Sequence, residues 1–358
     1  MLYNYKNTQI KLYIFFFILV LVFTQFSTNK VLAKTYKVEN IEITEPYDLD
    51  FNKEKVIDKA FKRAFNLLVA RLTNSVDKNS LNNIRIDNIK KLINSFSIVE
   101  EQFFNKKYYA KFDVNFDKKS VLIFFENHSV LSSIPKQKKL FFLPIIVDIE
   151  RNEISLFTKN LFYKLWNLDI KEYHLLQYVL PNEDLEDIKI LQSKINDIED
   201  YNFSEIILKY NLKDYIVCIF FLDKDKTRVL SKIKLENDNI ILNKEFGFIK
   251  LNNANSIQPI IDNLKIIYED RWKKINQINT NIKLPITLSI DSKNIELINK
   301  FEKKLLNIDL ISEYNIDKFS SANTIYKIIY NGTPDKFLTH FRDIGFEVDT
   351  SYRIWKIK

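Results

Sequence analysis

The chain has 358 residues, of which 46% are hydrophobic and 28% charged, and its formal net charge is +8. With 29 Phe and 18 Tyr it cannot be disordered throughout, and its length predicts two or three domains. Its three glycines, Gly247, Gly332 and Gly345, lie too far apart for a P-loop or a dinucleotide fingerprint. A single cysteine, Cys218, excludes an internal disulfide and a cysteine-rich metal module.

The first 33 residues have the layout of a secretory signal peptide. A polar stretch with Lys6 and Lys11 precedes the apolar run Leu12–Phe23, and Val31-Leu32-Ala33 follows as a cleavage motif. The apolar run has about 12 residues, whereas a membrane-spanning helix needs about 20. We therefore predict a signal peptide over residues 1–33, with cleavage after Ala33 and a periplasmic mature protein. The alternative is an uncleaved anchor in the inner membrane.

The positive charge is modest for this length and is spread along the chain. The densest basic run is Lys136-Gln137-Lys138-Lys139, which is short for a nucleic-acid-binding patch. An exported protein also rarely meets nucleic acid. We therefore expect no nucleic-acid partner, and we expect contact with the membrane only through the N-terminal segment.

The N-terminal segment, residues 35–130, reads as a sheet covered by helices. Tyr36–Ile43 and Tyr108–Phe116 alternate apolar and polar residues, which predicts strands with one buried face. Between them, Asn52 can cap a helix over residues 53–73 whose apolar residues recur every three or four positions. A second helix is predicted near residues 86–94, a strand at Ser97–Phe103, and a short helix capped by Asp117.

A polar stretch, residues 131–139, is predicted to link this segment to a central α/β segment, residues 140–278. Leu140–Val147 and Tyr215–Leu222 are continuous apolar runs, which predict buried central strands. Residues 228–235 and 240–251 are expected to form an antiparallel pair. Helices are predicted near residues 155–166, 184–198, 203–210 and 256–277.

The C-terminal segment, residues 279–358, has the order β-α-β-β-α-β that is typical of ferredoxin-like domains. Strands are predicted at residues 283–290, 309–316, 322–330 and 352–357. One helix ends at Leu306, and a second begins after Thr333-Pro334 and ends at Gly345, a residue that favours helix termination. The whole chain is therefore predicted to have an α+β fold made of three α/β segments.

Short motifs along the mature chain carry a family resemblance. They are Ala60, Ala64-Phe65, Leu68 and Arg71-Leu72-Thr73; Phe96–Glu101, Tyr108-Tyr109-Ala110 and Val114-Asn115-Phe116-Asp117; Leu143-Pro144; Pro181 and Asp187; and Leu284-Pro285, Gly332, Gly345 and Trp355. With these motifs the chain resembles the exported proteobacterial proteins of domain-of-unknown-function family 2066, although it lacks the glycines expected around Pro181. The resemblance implies export and this architecture, and it implies no reaction and no cofactor.

Few residues are candidates for catalysis or metal binding. Asp48–Asn52 begins like a calcium loop, but Lys53 replaces the required glycine. The acidic cluster at Asn182–Asp187 is more typical of a helix N-terminus than of a metal site. His128, His174 and His340 lie in three different segments, and Cys218 lies in an apolar run that predicts a buried thiol. We predict no catalytic, cofactor-binding or metal-binding residues.

These observations favour a non-catalytic envelope protein that binds or assembles other envelope proteins, because edge strands of small α/β modules are natural docking sites. One alternative is an envelope hydrolase or small-ligand-binding protein, whose unrecognised site would include Asp184 and Asp187. A third hypothesis keeps the same external domains on a single N-terminal membrane anchor. The sequence leaves open whether the protein is an enzyme, although it favours a protein that is not one.

Overall fold

A computed structural model describes residues 35–81, 83–249, 253–278 and 282–358 of the protein. The predicted signal peptide lies outside the described residues. Residues 35–358 form one compact unit that contains three β-sheets with helices packed on them, so the predicted α+β fold class is confirmed. Within the described part of the chain, no helix is both long and apolar enough to cross a membrane.

The N-terminal sheet has three antiparallel strands in the order β1-β3-β2, and one of its faces is covered by the long helix α1. The Asn52 side chain caps α1 by accepting hydrogen bonds from the N–H groups of Glu54 and Lys55. The predicted helix near residues 86–94 is shorter, because the chain enters β2 at Ile93. The elements are β1 (Thr35–Pro46), α1 (Lys53–Leu72), α2 (Ser75–Ser80), α3 (Ile86–Lys90), β2 (Ile93–Phe104), β3 (Lys107–Asp117) and α4 (Lys118–Asn127).

The central sheet has the order β5-β4-β7-β8-β9, and a sixth strand, β6, pairs in parallel with the start of β4. Strands β4 and β7 are buried on both faces, as their continuous apolar sequences predict. The elements are β4 (Lys138–Asp148), β5 (Glu153–Ser155), α5 (Leu161–Leu165), β6 (Leu176–Val179), α6 (Leu185–Ser193), α7 (Ser204–Leu208), β7 (Tyr215–Leu222), β8 (Lys226–Leu235), β9 (Asp238–Gly247) and α8 (Ala254–Ile275), with short 3₁₀ turns at Phe157–Lys159 and Ile195–Asp197.

Three parts of the central segment differ from the sequence-based prediction. The helix predicted near residues 184–198 ends at Ser193 and is followed by a 3₁₀ turn at Ile195–Asp197. The continuous helix predicted at residues 155–166 is instead the end of β5, a 3₁₀ turn and the short helix α5. Buried Asn160, in the middle of the predicted span, caps the N-terminus of α5. Strand β6 has four residues and was not predicted. The other predicted strands are present. Strand β9 begins two residues before its predicted start and ends four residues before its predicted end.

The C-terminal sheet begins with the split arrangement of a ferredoxin-like domain, in which β12 lies between β10 and β11. It then departs from the predicted single last strand, because a short hairpin places β14 beside β10 in parallel and β13 outside it. Gly345, at φ +87°, ends the last helix as predicted. The elements are β10 (Leu284–Asp291), α9 (Ile295–Leu305), β11 (Ile311–Phe319), β12 (Asn323–Tyr330), α10 (Pro334–Asp343), β13 (Val348–Asp349) and β14 (Trp355–Ile357).

Separate hydrophobic clusters lie in the three segments, with two clusters on the two faces of the central sheet. The segments are joined by buried polar contacts around residues 131–134. Ser132 and Ser133 are buried, and the Ser133 N–H and hydroxyl both donate to the Leu72 carbonyl at the end of α1. The N–H of Ile134 donates to the Asn276 carbonyl, just after α8. Residues 131–134 are thus bound to helices of two segments, and the predicted segment boundaries stay predictions.

Candidate functional site

The acidic cluster at the start of α6 is engaged in structural contacts. The Asp184 side chain accepts hydrogen bonds from the N–H groups of Glu186 and Asp187, and it caps the helix. Lys209 Nζ lies 2.8 Å from Asp184 Oδ2 and 2.7 Å from Asp187 Oδ1. These hydrogen bonds raise the pKa of Lys209, and its ammonium together with the backbone N–H groups lowers the pKa of Asp184. One lysine therefore bridges the two carboxylates that a hydrolytic site would need.

The other groups that the sequence singled out lie apart from one another. His128 is exposed at the end of α4 and packs against Phe124 with the rings tilted by 35° and their centroids 4.1 Å apart. His174 and His340 are half-buried in the central and C-terminal segments, where burial lowers the pKa of each. Among the described residues, no group of three or more His, Cys, Asp or Glu side chains could hold a metal ion.

Cys218 is fully buried in β7, as the apolar run predicts. Its Sγ accepts hydrogen bonds from the hydroxyls of Tyr268 (3.4 Å) and Ser231 (3.7 Å), and these two hydroxyls lie 2.7 Å apart. Burial raises the pKa of the thiol to about 12. A thiol that stays protonated and has no access to solvent is a packing residue rather than a nucleophile.

The candidate site is the outer edge of β2. Within the described part of the chain this strand pairs only with β3, and 12 residues of backbone run along its other side. An unpaired strand edge presents a row of N–H and C=O groups that another chain can pair with. Four large apolar side chains on this strand are exposed, and we refer to them as the β2 patch: Phe96 (43%), Val99 (58%), Phe103 (57%) and Phe104 (46%).

The β2 patch is exposed because α1 lies over β1 and the middle of the sheet. Phe96 and Phe103 are opposite Val114 and Tyr108 of β3 and therefore point to the same face as α1. Of these two rings, that of Phe96 contacts the margin of α1, where it lies 5.0 Å from the ring of Phe61 between centroids. Phe103 packs at 5.0 Å against Tyr47 and Tyr108, which holds its ring in place.

Two irregularities give the edge its shape. The register of β2 against β3 shifts between Ile93 and Ser95 and again between Ile98 and Glu100, which leaves Val99 without a partner residue on β3. Such bulges twist a strand and re-aim its side chains. Val99, at this bulge, is 58% exposed.

The charges beside the patch are paired. Glu101 Oε1 accepts hydrogen bonds from Lys53 Nζ (2.6 Å) and from the Tyr108 hydroxyl (2.9 Å). These two bonds lower the pKa of Glu101, while burial and the bond to Glu101 raise the pKa of Tyr108 to about 12. The only carboxylate of β2 that points toward the α1 face is thus paired. Phe104 lies opposite Lys107 and points to the other face, where Glu100 lies 3.7 Å from Lys111.

Neither the protein-family models nor the curated protein sequences contain a match to this chain. The resemblance to family 2066 therefore stays a prediction from the motifs.

Two other free edges, those of β9 and β11, are less apolar. Strand β9 exposes Ile241 (65%), and its neighbouring outward residues are mostly polar or charged. Strand β11 exposes Ile316 and Phe319 among Glu313, Asp317 and Lys318. Four exposed apolar side chains on one strand distinguish β2 from both.

The sequence indicated part of this site. A strand was predicted at Ser97–Phe103, and β2 contains it and begins four residues earlier, at Ile93. The bulge at Val99 and the uncovered position of Phe96 depend on how α1 lies over the sheet. Neither is encoded in the alternation of apolar and polar residues, so no local signal could have revealed them.

Proposed function

We propose that this protein is an exported envelope protein that binds a partner protein at the outer edge of β2, without catalysing a reaction. The partner would contribute an extended segment with alternating apolar residues, which adds a fourth strand to the β1-β3-β2 sheet. The observation that carries the proposal is the β2 patch: four exposed apolar side chains along an unpaired strand edge.

Physical chemistry supports this mode of binding. Strand addition satisfies the free N–H and C=O groups of the edge, and apolar side chains on alternate positions of the partner would cover Phe96 and Phe103. Soluble proteins usually blunt their free edges with charges or proline, because apolar edges aggregate. On the α1 face of β2 the only charge is Glu101, which Lys53 already neutralises.

Export rests on the N-terminal sequence, and it has its own test. If the signal peptide is cleaved after Ala33, the protein isolated from cell envelopes begins at Lys34. An intact N-terminus on the membrane-bound protein would instead favour the single-anchor alternative.

Partner binding is tested by site-specific photo-crosslinking in cells. A photoreactive amino acid replaces Phe104 in the β2 patch, and in a matched protein it replaces Ile241 on the edge of β9. We expect one envelope protein to crosslink to the first position and not to the second. The substitution Val99→Lys, which places a charge at the bulge, should abolish that crosslink, whereas Ile241→Lys should leave it unchanged.

The mode of binding is then measured with the purified partner. Strand addition should slow amide hydrogen exchange along β2 and leave exchange along β9 unchanged. Three results would contradict the proposal. They are equal crosslinking from the β2 and β9 edges, crosslinking only to a second copy of this chain, and unchanged amide hydrogen exchange along β2.

A further inference from the structure

A second surface, away from the β2 patch, collects positive charge. It is a groove of about 470 Å³ between α1, α2 and the loop before β6, within the about 300–1,000 Å³ usual for ligand sites. Four cations and no carboxylate line it. The lining residues are Lys59, Lys62, Arg63, Asn66, Leu67, Ala70, Lys78 and Tyr173, which we refer to together as the basic groove.

Most of this charge is uncompensated. Lys59 pairs with Glu45 at 2.6 Å. Arg63 donates to the backbone carbonyl of Glu42 at 2.7 Å, a contact that orients the guanidinium and leaves its charge in place. Among the described residues, Lys62 has neither an ion pair nor a side-chain hydrogen bond. Lys78 Nζ lies 4.9 Å above the Tyr173 ring, which holds the lysine at the wall of the groove without neutralising it.

Two further cations lie behind the groove and add to its potential. Lys273 Nζ donates to the Ala70 carbonyl at 2.6 Å, and Arg71 donates to the Glu172 carbonyl at 3.2 Å. The first bond directs the ammonium of Lys273 toward the backbone of the lining residue Ala70. The second directs the guanidinium of Arg71 toward the backbone next to the lining residue Tyr173. Two carboxylates of α8, Glu269 and Asp270, act on the charge of Lys273. Glu269 is held by the N–H groups of Leu175 and Leu176, and Asp270 accepts hydrogen bonds from the N–H and the hydroxyl of Ser75.

We infer that the basic groove binds the phosphate group of a ligand. The side chains of lysine and arginine bind phosphate oxygens, and the groove places Lys62, Arg63 and Lys78 around one space with no carboxylate among its lining residues. The ring of Tyr173 and the side chain of Leu67 offer an apolar wall for the body of the ligand. Phosphate could come from an anionic lipid headgroup or from a soluble phosphorylated molecule, and the experiment separates these sources.

The test uses the mature chain and two probes. Inorganic phosphate is titrated against the protein by calorimetry at constant ionic strength. Separately, vesicles of equal parts phosphatidylglycerol and phosphatidylcholine are compared with vesicles of phosphatidylcholine alone in a flotation assay. Lys62→Glu puts a carboxylate into the groove. Lys304→Glu makes the same change of charge at an exposed lysine of α9 and serves as the control.

We expect Lys62→Glu to weaken binding of at least one probe by about tenfold or more, and Lys304→Glu to leave it nearly unchanged. Phosphate binding without vesicle binding assigns a soluble ligand. Binding to phosphatidylglycerol vesicles assigns a lipid headgroup. Lys62→Gln, which keeps the helix and only removes the charge, should show the same direction of change. If neither probe binds, or if Lys62→Glu and Lys304→Glu weaken binding equally, the inference is wrong.

Discussion

Lys118 of α4 donates hydrogen bonds both to the carboxylate and to the backbone carbonyl of Asp309, 191 residues further along the chain. The Lys118 side chain is almost fully buried, whereas Asp309 is about one-third exposed. Burial lowers the pKa of Lys118, and the charge of Asp309 opposes that shift. This pair joins the N-terminal segment to the C-terminal segment.

The two partners of this pair should respond unequally to substitution. Asp309→Ala leaves a buried ammonium without its counter-ion and should lower the free energy of unfolding by about 3 kcal/mol. Lys118→Met keeps the buried stem and leaves a carboxylate that water can reach, so it should cost about 1 kcal/mol. Urea denaturation of both variants measures the difference. Equal costs would show that the burial of Lys118 does not control the energy of the pair.

His174 makes stability depend on pH. Burial, reinforced by the charges of Lys265 and Lys273, lowers its pKa from 6.5 to about 4, and its Nδ1 accepts the N–H of Lys171. Between these two values the unfolded chain binds a proton that the folded protein does not. Stability should therefore fall as the pH drops from about 6.5 to about 4, by about 1–2 kcal/mol after solvent screening is allowed for.

The substitution His174→Gln isolates this effect from the titration of carboxylates. The variant should lose about 1–2 kcal/mol less than the wild type between pH 7 and pH 4. Denaturant unfolding at both pH values gives the comparison. If the wild type and the variant lose the same free energy of unfolding between pH 7 and pH 4, His174 titrates alike in the folded and unfolded states.

Asn160 is the buried cap of α5. Its Nδ2 donates to the Pro144 carbonyl at 3.0 Å, and its Oδ1 accepts the N–H of Phe162 at 2.9 Å. Asn160→Ala should cost about 2–3 kcal/mol, because it leaves buried backbone groups without partners. Asn253→Ala removes the exposed cap of α8 and should cost about 1 kcal/mol or less. Thermal unfolding compares the two variants. If both substitutions lower the free energy of unfolding by similar amounts, burial does not determine how much a cap contributes.

Gly345 occupies a backbone conformation that side chains disfavour. Its φ is +87°, whereas Gly247 lies outside the left-handed region and a Cβ added there would meet no atom within 4 Å. Gly345→Ala should lower the free energy of unfolding by about 1 kcal/mol, and Gly247→Ala should change it by less than about half that. Calorimetric melting of both variants checks this, and an unaffected Gly345→Ala protein would show that the helix end can relax.

The sequence predicted those elements whose patterns are long and regular. Helix α1 and strands β3, β4 and β7 were placed almost to the residue, because an apolar period of 3.6 or 2 continues through each of them. Gly345 and Asn52 were identified as helix ends from residue chemistry alone.

The elements that the sequence did not reveal depend on contacts far along the chain. Strand β6 is defined by pairing with β4, more than 30 residues earlier, and four residues carry too little periodicity to be recognised. The last strand was predicted as one piece, because nothing near Tyr352 indicates that β14 will pair with β10. The basic groove was missed for the same reason, since Tyr173 meets Lys78 only in the folded chain.

The buried contacts of residues 131–134 have a consequence for proteolysis. The stretch after them contains three lysines and reads as an exposed linker, which is where trypsin would be expected to separate the segments. Ser133 and Ile134 are hydrogen-bonded to Leu72 and Asn276, and from Lys138 onward the chain is already a strand between β6 and β7. Cleavage there requires that this backbone first leave its partners. Digestion of the folded protein should therefore trim other loops before it releases an intact N-terminal fragment.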